Sequence, residues 1–392
     1  MQEDIKRFGF GFMRLPFKKV EIDYEKTNEM VDEFISRGGK FFDTGFDYLD
    51  EESEVAIRKA VVERYPRDKF CISDKMPVYT MKRNDNPYEI FETQLERCGV
   101  DFFDYYLVHD PEDRYYEGLC KELDIFNILK EFKRQGRIKR LGLSLHDTPE
   151  VLDKILGEHP DVEFVLLQIN YMDWTSSYVQ SRQCYEVAIK HNKPVFIMGP
   201  LKGGQLARVN SNVKNLFNSY NDWSPALWAL AFVLNLENVD MILSGMSSLD
   251  EVCENMEFIK NFKKLTENEL RIISKVRDLM DNRGQIDCTT CDYCKNHCPN
   301  DIPISKYFEL YNLNKNSEKL NTDYYAEYDN LACEFGKASD CDECGLCEDT
   351  CHQHLRISRE LKKVADLLNE CNFSFLYYFL QIYYYEKDIV LN

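Results

Sequence analysis

Lys40-Phe41-Phe42-Asp43-Thr44 is a short apolar run ending in polar residues, and a loop and an amphipathic stretch at 51–64 follow it. An apolar run of that length, too short for a helix and bounded by loop residues, reads as a strand buried on both faces. The same alternation recurs on either side. Strands are expected at 8–12, 40–44, 70–74, 105–109, 141–145, 164–170, 195–199 and 241–245. Helices are expected between them, at 24–37, 51–64, 87–98, 125–135, 149–156, 181–191, 225–234 and 249–262. Such a series of β/α units predicts an α/β fold of the TIM (β/α)8 barrel type. A doubly wound sheet is the competing fold. It lacks its usual signature, because no G-x-G-x-x-G opens a helix after a strand. Phe8-Gly9-Phe10-Gly11 is only superficially similar, since Pro16 soon follows.

Beyond the barrel, eight of the 15 cysteines fall in two runs. Cys288, Cys291, Cys294 and Cys298 form the first, followed by Pro299. Cys341, Cys344, Cys347 and Cys351 form the second, followed by His352. Both read C-x2-C-x2-C-x3-C, the spacing that holds two [4Fe–4S] clusters. Three thiolates of one run and the fourth of the other serve each cluster. Cys288, Cys291 and Cys294 would therefore pair with Cys351, and Cys341, Cys344 and Cys347 with Cys298. Zinc is a competing reading, but structural zinc usually takes two separated C-x2-C pairs. A disulfide framework suits a short secreted chain, and this is a long one with no evident signal peptide. The other cysteines (71, 98, 120, 184, 253, 333 and 371) read mostly as small buried hydrophobes, with Cys333 a weak spare ligand. His352 or His354 is a further candidate to tune or replace a ligand.

The net charge of −19 argues against nucleic acid or an anionic membrane as partner. It suits a basic electron-transfer protein, though acidity also simply confers solubility. No apolar stretch reaches the roughly 20 residues that span a bilayer. Thiols in cluster spacing point to a reducing cytoplasm.

In a barrel of this kind the chemistry sits at the C-terminal ends of the strands. Asp43, Lys75 and His109 stand at three such ends, with Tyr48 in the loop after the first of them. Ser144, Gln168 and Asn170 end the next two strands. These residues stand in a pattern that resembles the aldo-keto reductases. The stretches Gly9 to Pro16, Phe42-Asp43-Thr44-Gly45 with Tyr48, Ser73-Asp74-Lys75 and Tyr106-Leu107-Val108-His109 are similar to that family's first four strands and its Asp/Tyr/Lys/His tetrad. Leu141 to Ser144, Gln168 to Tyr171, Pro200-Leu201-Lys202-Gly203-Gly204-Gln205-Leu206 and Ser244-Gly245-Met246-Ser247 with Glu254-Asn255 resemble its later strand ends and cofactor-binding helix. With the cysteine runs, the whole resembles the bacterial branch that carries a C-terminal ferredoxin-like domain.

The resemblance implies hydride transfer between a nicotinamide and a small carbonyl or alcohol. Tyr48 would be the general acid, Lys75 would lower its pKa, Asp43 would orient Lys75, and His109 would orient the carbonyl. Ser144, Gln168 and Asn170 would hold the nicotinamide carboxamide. Met198, Pro200, Leu201, Gly203, Gly245, Ser247, Glu254 and Asn255 would line the rest of the cofactor site. Three departures stand out. The β-hairpin that closes the family's barrel bottom is missing or reduced, because seven residues precede the first strand. Met198 and Gly199 stand where an aromatic often stacks on the nicotinamide. Met246 and Val252 stand where NADPH-specific members carry basic residues for the 2′-phosphate, with Lys202 or Arg208 as candidate replacements. The choice between NADPH and NADH therefore stays open. A cubane moves single electrons while a nicotinamide moves two, so a bound flavin is a further cofactor to consider. A competing function is an iron–sulfur relay or sensor whose barrel binds a ligand or flavin without nicotinamide-dependent turnover.

The expected organisation is a barrel at 1–275, a helical ferredoxin-like 2[4Fe–4S] domain at 276–370 and an aromatic-rich tail at 371–392. Residues 264–284 read as one helix with Thr266 as its N-cap. A helix is expected at 305–313, a polar acidic loop at 317–330 and a closing helix at 361–368. The tail segment 373–385 reads as packing against the rest of the chain, with docking or oligomer formation as the competing use.

Overall fold

The computed structural model describes residues 5, 7–281, 284–316 and 322–368. The tail at 371–392 lies outside the described residues. Within them the chain divides into two compact units. One comprises Met1–Lys202 and Tyr220–Ile273, the other Gly203–Ser219 and Ser274–Asn392. The second unit thus takes in a segment from the middle of the barrel sequence, which a boundary at 275 does not anticipate.

The first unit is a closed barrel of parallel strands. They are β1 (Phe8–Gly11), β2 (Phe41–Asp43), β3 (Cys71–Met76), β4 (Phe103–His109), β5 (Ile138–Leu145), β6 (Phe164–Gln168), β7 (Val195–Met198) and β8 (Val239–Gly245). Each pairs with its sequence neighbours, and β1 closes the ring against β8 through Phe8↔Ile242 to Gly11↔Gly245. All eight expected strands are present, with ends shifted by a few residues. Asn170 lies past the end of β6.

Helices α1 (Tyr24–Ser36), α2 (Glu52–Ile57, continuing as a π-helical turn, Arg58–Val62), α3 (Pro87–Cys98), α4 (Ile125–Arg134), α5 (Pro149–Glu158) and α6 (Ser181–Lys190) alternate with the strands. After α7 (Ser211–Asn218) come α8 (Pro225–Asn235) and α9 (Leu249–Asn261). Several start on a capping residue followed by proline. Asn86, Thr148 and Ser224 accept from the backbone N–H of Tyr88, Val151 and Leu227, with Pro87, Pro149 and Pro225 next in sequence. The cap satisfies a donor that the first turn leaves open, and proline has no N–H to leave open.

Phe41, Tyr105, Phe164 and Phe196 fill the barrel interior near the strand starts, with Phe164 and Phe196 centroids 4.3 Å apart. Gly142 stands opposite Phe164 in the register, and a Cβ there would run into that ring. A two-stranded hairpin, Phe17–Lys18 with Glu21–Ile22, follows β1. The stretch ahead of β1, where the reduced bottom hairpin is expected, lies largely outside the described residues.

The second unit is helical. Besides α7 it contains the end of α10 (Glu267–Asp281), then α11 (Ile304–Asn316), α12 (Thr322–Glu334) and α13 (Ile357–Leu368). Thr266 caps α10, since its Oγ1 accepts from Glu269 N–H at 3.3 Å and its own N–H donates to the Glu269 carboxylate at 2.7 Å. The polar loop expected at 317–330 is corrected over most of its length: α12 is a helix. Tyr325 and Tyr328, three residues apart, are both buried in a core with Tyr307, Phe308, Ile357 and Leu361. The Tyr307 hydroxyl donates to the Gly336 carbonyl at 2.9 Å, and the Tyr328 hydroxyl accepts from Ala338 N–H at 3.1 Å. A few large side chains anchor this helix, and its other faces are polar enough to look like loop.

Candidate active site and candidate metal centres

Asp43 ends β2, Lys75 is the penultimate residue of β3, and His109 ends β4. Parallel strands in register bring these ends to one rim, and the loop after β2 carries Tyr48 back over it. The Lys75 amine donates to Asp43 Oδ2 at 2.9 Å and to the Thr44 carbonyl. It lies 4.8 Å from the Tyr48 ring centroid. The Tyr48 and His109 rings are 6.0 Å apart and nearly perpendicular. Gly45 makes room for this, because a Cβ there would stand 2.9 Å from Tyr48 Cε1. Tyr79 packs edge-on against His109 at 4.9 Å and donates its hydroxyl to Asp47 at 2.5 Å. Tyr79 and Asp47 were not expected from sequence, because each is unremarkable until the fold sets Tyr79 beside His109 and Asp47 on the Tyr79 hydroxyl.

Lys75 is 1% exposed and Asp43 5%. Burial raises the Asp43 carboxyl above its ordinary range, with Lys75 opposing. Burial disfavours the charged amine of Lys75, yet Asp43 and Tyr48 more than offset this and raise it above its ordinary value. For Tyr48 the expected lowering is corrected. Lys75 does favour the phenolate, but burial of the hydroxyl is the larger effect and pushes it up to about 12. Tyr48 is therefore a neutral phenol throughout the physiological range.

The cysteines of the second unit form two groups. Cys288, Cys291 and Cys294 line one recess together with Cys351, walled by Ile304, Phe308, Leu355 and Ile357. Cys298 is an electrostatic neighbour of Cys341 and Cys347, and Cys344 of Cys341. Each group takes its fourth thiol from the other run. The backbones also match. Thr290, Asp292 and Asp301 have positive φ, at two, four and thirteen residues after Cys288 (φ 52, 66 and 50). Glu343, Gly345 and His354 stand at the same offsets after Cys341 (φ 59, 79 and 50). Left-handed non-glycine residues cost about 1–2 kcal/mol each, so their repetition marks two copies of one ligand loop. The donor set suits an iron–sulfur cluster: four thiols line one recess among Ile304, Phe308, Leu355 and Ile357, with Asp292, Ser305 and Gln353 also at its wall, and Thr290 N–H donates to Cys288 Sγ at 3.4 Å. Cys294 and Cys347 are buried while Cys344 is exposed. His352 stacks on Tyr293 at 4.4 Å. Of the remaining cysteines, Cys98, Cys120 and Cys184 are buried as expected, Cys71 and Cys253 are partly buried, and Cys333 is exposed.

Residues 7–278 match the model of the aldo/keto reductase family. The chain belongs to that family. Residues 287–355 match a 4Fe–4S dicluster domain. The chain is 24% identical over 234 residues to an aldo-keto reductase of Mycobacterium avium, covering 59% of this chain and 76% of that one. It is 25% identical over 280 residues to the methylglyoxal reductase DkgA of Yersinia pestis, covering 69% and 88%. Its fold is similar to that of an aldo/keto reductase from Klebsiella pneumoniae solved with NADP and acetate. The TM-score is 0.55 at 19% identity, covering 69% of this chain and 91% of that one.

Against the family pattern, the expected cofactor residues divide. Ser144 is the register partner of His109, so both side chains face the same way. Its Oγ is buried with no hydrogen-bond partner among the described residues, which fits a polar ligand at the rim. Asn170 does not fit. Its Nδ2 donates to Asp173 Oδ2 at 2.7 Å and to the Gly199 carbonyl at 3.1 Å. Its Oδ1 accepts from the N–H groups of Met172 and Asp173. Gln168 Nε2 also donates to Asp173 Oδ2 at 2.7 Å. The remaining oxygen of Asp173 takes the amine of Lys202, and both residues are buried. Lys202 therefore does not stand free for a 2′-phosphate. Asp173 was missed because nothing in its own neighbourhood marks it.

Met198 is partly buried at the end of β7, next to Gly199 at φ 61. Pro200 is buried and Leu201 partly so, while Gly203 belongs to the second unit. Gly245 ends β8 and is exposed. The exposed Ser247 donates its N–H to the Glu251 carboxylate at 2.7 Å. On α9 Glu254 is exposed and Asn255 buried. Met246 and Val252 are both buried, so neither presents a surface to a phosphate.

Proposed function

We propose that the barrel reduces small carbonyl compounds with a nicotinamide as hydride source, and that the second unit carries two [4Fe–4S] clusters. The observation that carries the reading is the convergence of Asp43, Lys75, Tyr48 and His109 on one rim, with the Lys75 amine 2.9 Å from Asp43. When bound, the nicotinamide supplies a hydride to the carbonyl carbon. The Tyr48 hydroxyl donates a proton to the carbonyl oxygen as charge develops there, which completes the alcohol. Lys75 stabilises the phenolate that remains, and Asp43 holds the amine in place. His109 donates a hydrogen bond to the same oxygen and orients the substrate. Ser144 is the residue best suited to a nicotinamide carboxamide. The relative named a methylglyoxal reductase supports a small dicarbonyl as first test substrate.

The swapped cysteine groups support one cluster on Cys288, Cys291, Cys294 and Cys351, and a second on Cys341, Cys344, Cys347 and Cys298. A soluble electron-transfer protein would be their partner. Anaerobically purified protein should oxidise NADPH or NADH only when methylglyoxal is added. Its iron and sulfide should match two four-iron clusters, and its absorbance would reveal any flavin. No carbonyl-dependent oxidation of either nucleotide would overturn the barrel reading. Fewer than about six irons per chain would overturn the two clusters.

A further inference from the structure

Behind Lys75 lies a buried acidic group that the proposed reaction does not use. Lys75 points into the barrel, so Asp74, next to it in β3, points outward to the helix layer. There it meets Glu54 of α2. Both are 0% exposed. Two cations act on the pair: Arg97 of α3, whose Nη1 donates to Glu54 Oε2 at 3.2 Å while Nη2 reaches Glu51, and the Lys75 amine, which lowers Asp74 through space. The other titratable groups facing the pair are neutral hydrogen-bond donors, the Cys98 thiol of α3 and the Tyr106 hydroxyl of β4, both fully buried. Two carboxylates packed together in a dry site, with the guanidinium beside Glu54 also serving Glu51, cannot both stay ionised cheaply. Burial and the charge of Glu54 raise Asp74 well above the carboxylate range, and burial raises Glu54 too.

The geometry gives this pair a task. The Ser73 carbonyl accepts from Thr44 N–H on the β2 side, and β2 ends at Asp43. Two residues on, the N–H and C=O of Lys75 face the same way, where no strand remains. Side chains take the place of the missing strand. Lys75 N–H donates to Asp74 Oδ1 at 2.8 Å, and the Lys75 carbonyl accepts from Gln94 Nε2 at 3.0 Å. Gln94 is itself held by Glu54 Oε1 at 3.0 Å and by the Tyr106 hydroxyl.

We propose that Asp74 and Glu54 share a single proton and, with Gln94, clamp the peptide of Lys75, acting as positioning residues for its amine. Aspartate is needed for its shape and its acceptor, not for its charge. The functional part rests on the tetrad reading above, and the shared proton does not.

Two measurements on the full chain test it. In the infrared spectrum at neutral pH, wild type minus Asp74→Asn should show a carboxylic-acid carbonyl band. Its absence, with both proteins folded, would mean both acids are ionised and would overturn the shared proton. In NADPH-dependent methylglyoxal reduction, Asp74→Asn should stay within about threefold of wild type, because an amide keeps the acceptor and supplies the donor. Asp74→Ala and Gln94→Ala should each lose about 10²-fold, the cost of a misplacement on the order of 1 Å. They should also shift the alkaline limb of kcat, which Tyr48 and Lys75 set. Alanine variants with wild-type kcat and an unmoved limb would overturn the clamp. If Tyr48→Phe is also fully active, the tetrad reading has failed instead, and the infrared band still decides the shared proton.

Discussion

At the scale of single residues, burial governs the chemistry of the rim more than charge does. Tyr48 sits 4.8 Å from a lysine amine and still has its pKa pushed up to about 12 rather than down. The sign of the pH dependence follows. The reductive direction needs the protonated phenol, which is lost as pH rises toward about 12, so its rate should be flat through the neutral range and fall only on a far alkaline limb. The oxidative direction needs the phenolate and should rise with pH over the same window. Steady-state rates in both directions check this, and a reductive rate that falls between pH 7 and 9 would contradict it. Asp173 is the second residue of consequence. It accepts from Gln168 and Asn170 and neutralises Lys202. Asp173→Ala would remove the buried acceptor that holds Gln168, Asn170 and the Lys202 amine, so stability should drop by about 1–3 kcal/mol, measured by urea unfolding. The placement of Asp43, Tyr48, Lys75 and His109 at one rim was legible in the sequence because each is a polar residue at or just after a strand end. Asp173, Glu54 and Gln94 were not, because their partners come from elements far away in the chain.

At the scale of elements, the strands were the most legible part, since a strand buried on both faces has to be an apolar run. Their spacing inside the barrel was not legible, because it depends on pairs such as Gly142 and Phe164. Gly142→Ala should destabilise by about 1–3 kcal/mol through overpacking, and Phe164→Leu should recover part of that loss when combined with it. Thermal unfolding of the two single variants and the double variant checks the coupling. The helix α12 escaped sequence reading because only a few buried side chains, Tyr325 and Tyr328 among them, hold it. The cysteine runs behave differently. Their spacing implies a swap of the fourth ligand, and the matching positive-φ residues after Cys288 and Cys341 give the two runs the same backbone. Cys351→Ser and Cys298→Ser should therefore each lower iron by about half, and each should spare the cluster whose three ligands lie in the other group. Loss of all iron in either variant would count against separate sites.

At the scale of the whole molecule, a hydride-transfer barrel and a one-electron module share one acidic chain. Each group of four thiols in the second unit draws on both cysteine runs. The contacts of Asp43, Tyr48 and Lys75 described above are made within the barrel unit. A variant of the tetrad should thus change turnover and leave the clusters intact. The most direct test is Tyr48→Phe, purified anaerobically beside the wild type and assayed for NADPH oxidation with methylglyoxal, with iron measured in both. The account predicts a loss of about 10²–10⁴-fold in turnover with unchanged iron content. Turnover equal to wild type in the iron-replete variant would contradict it.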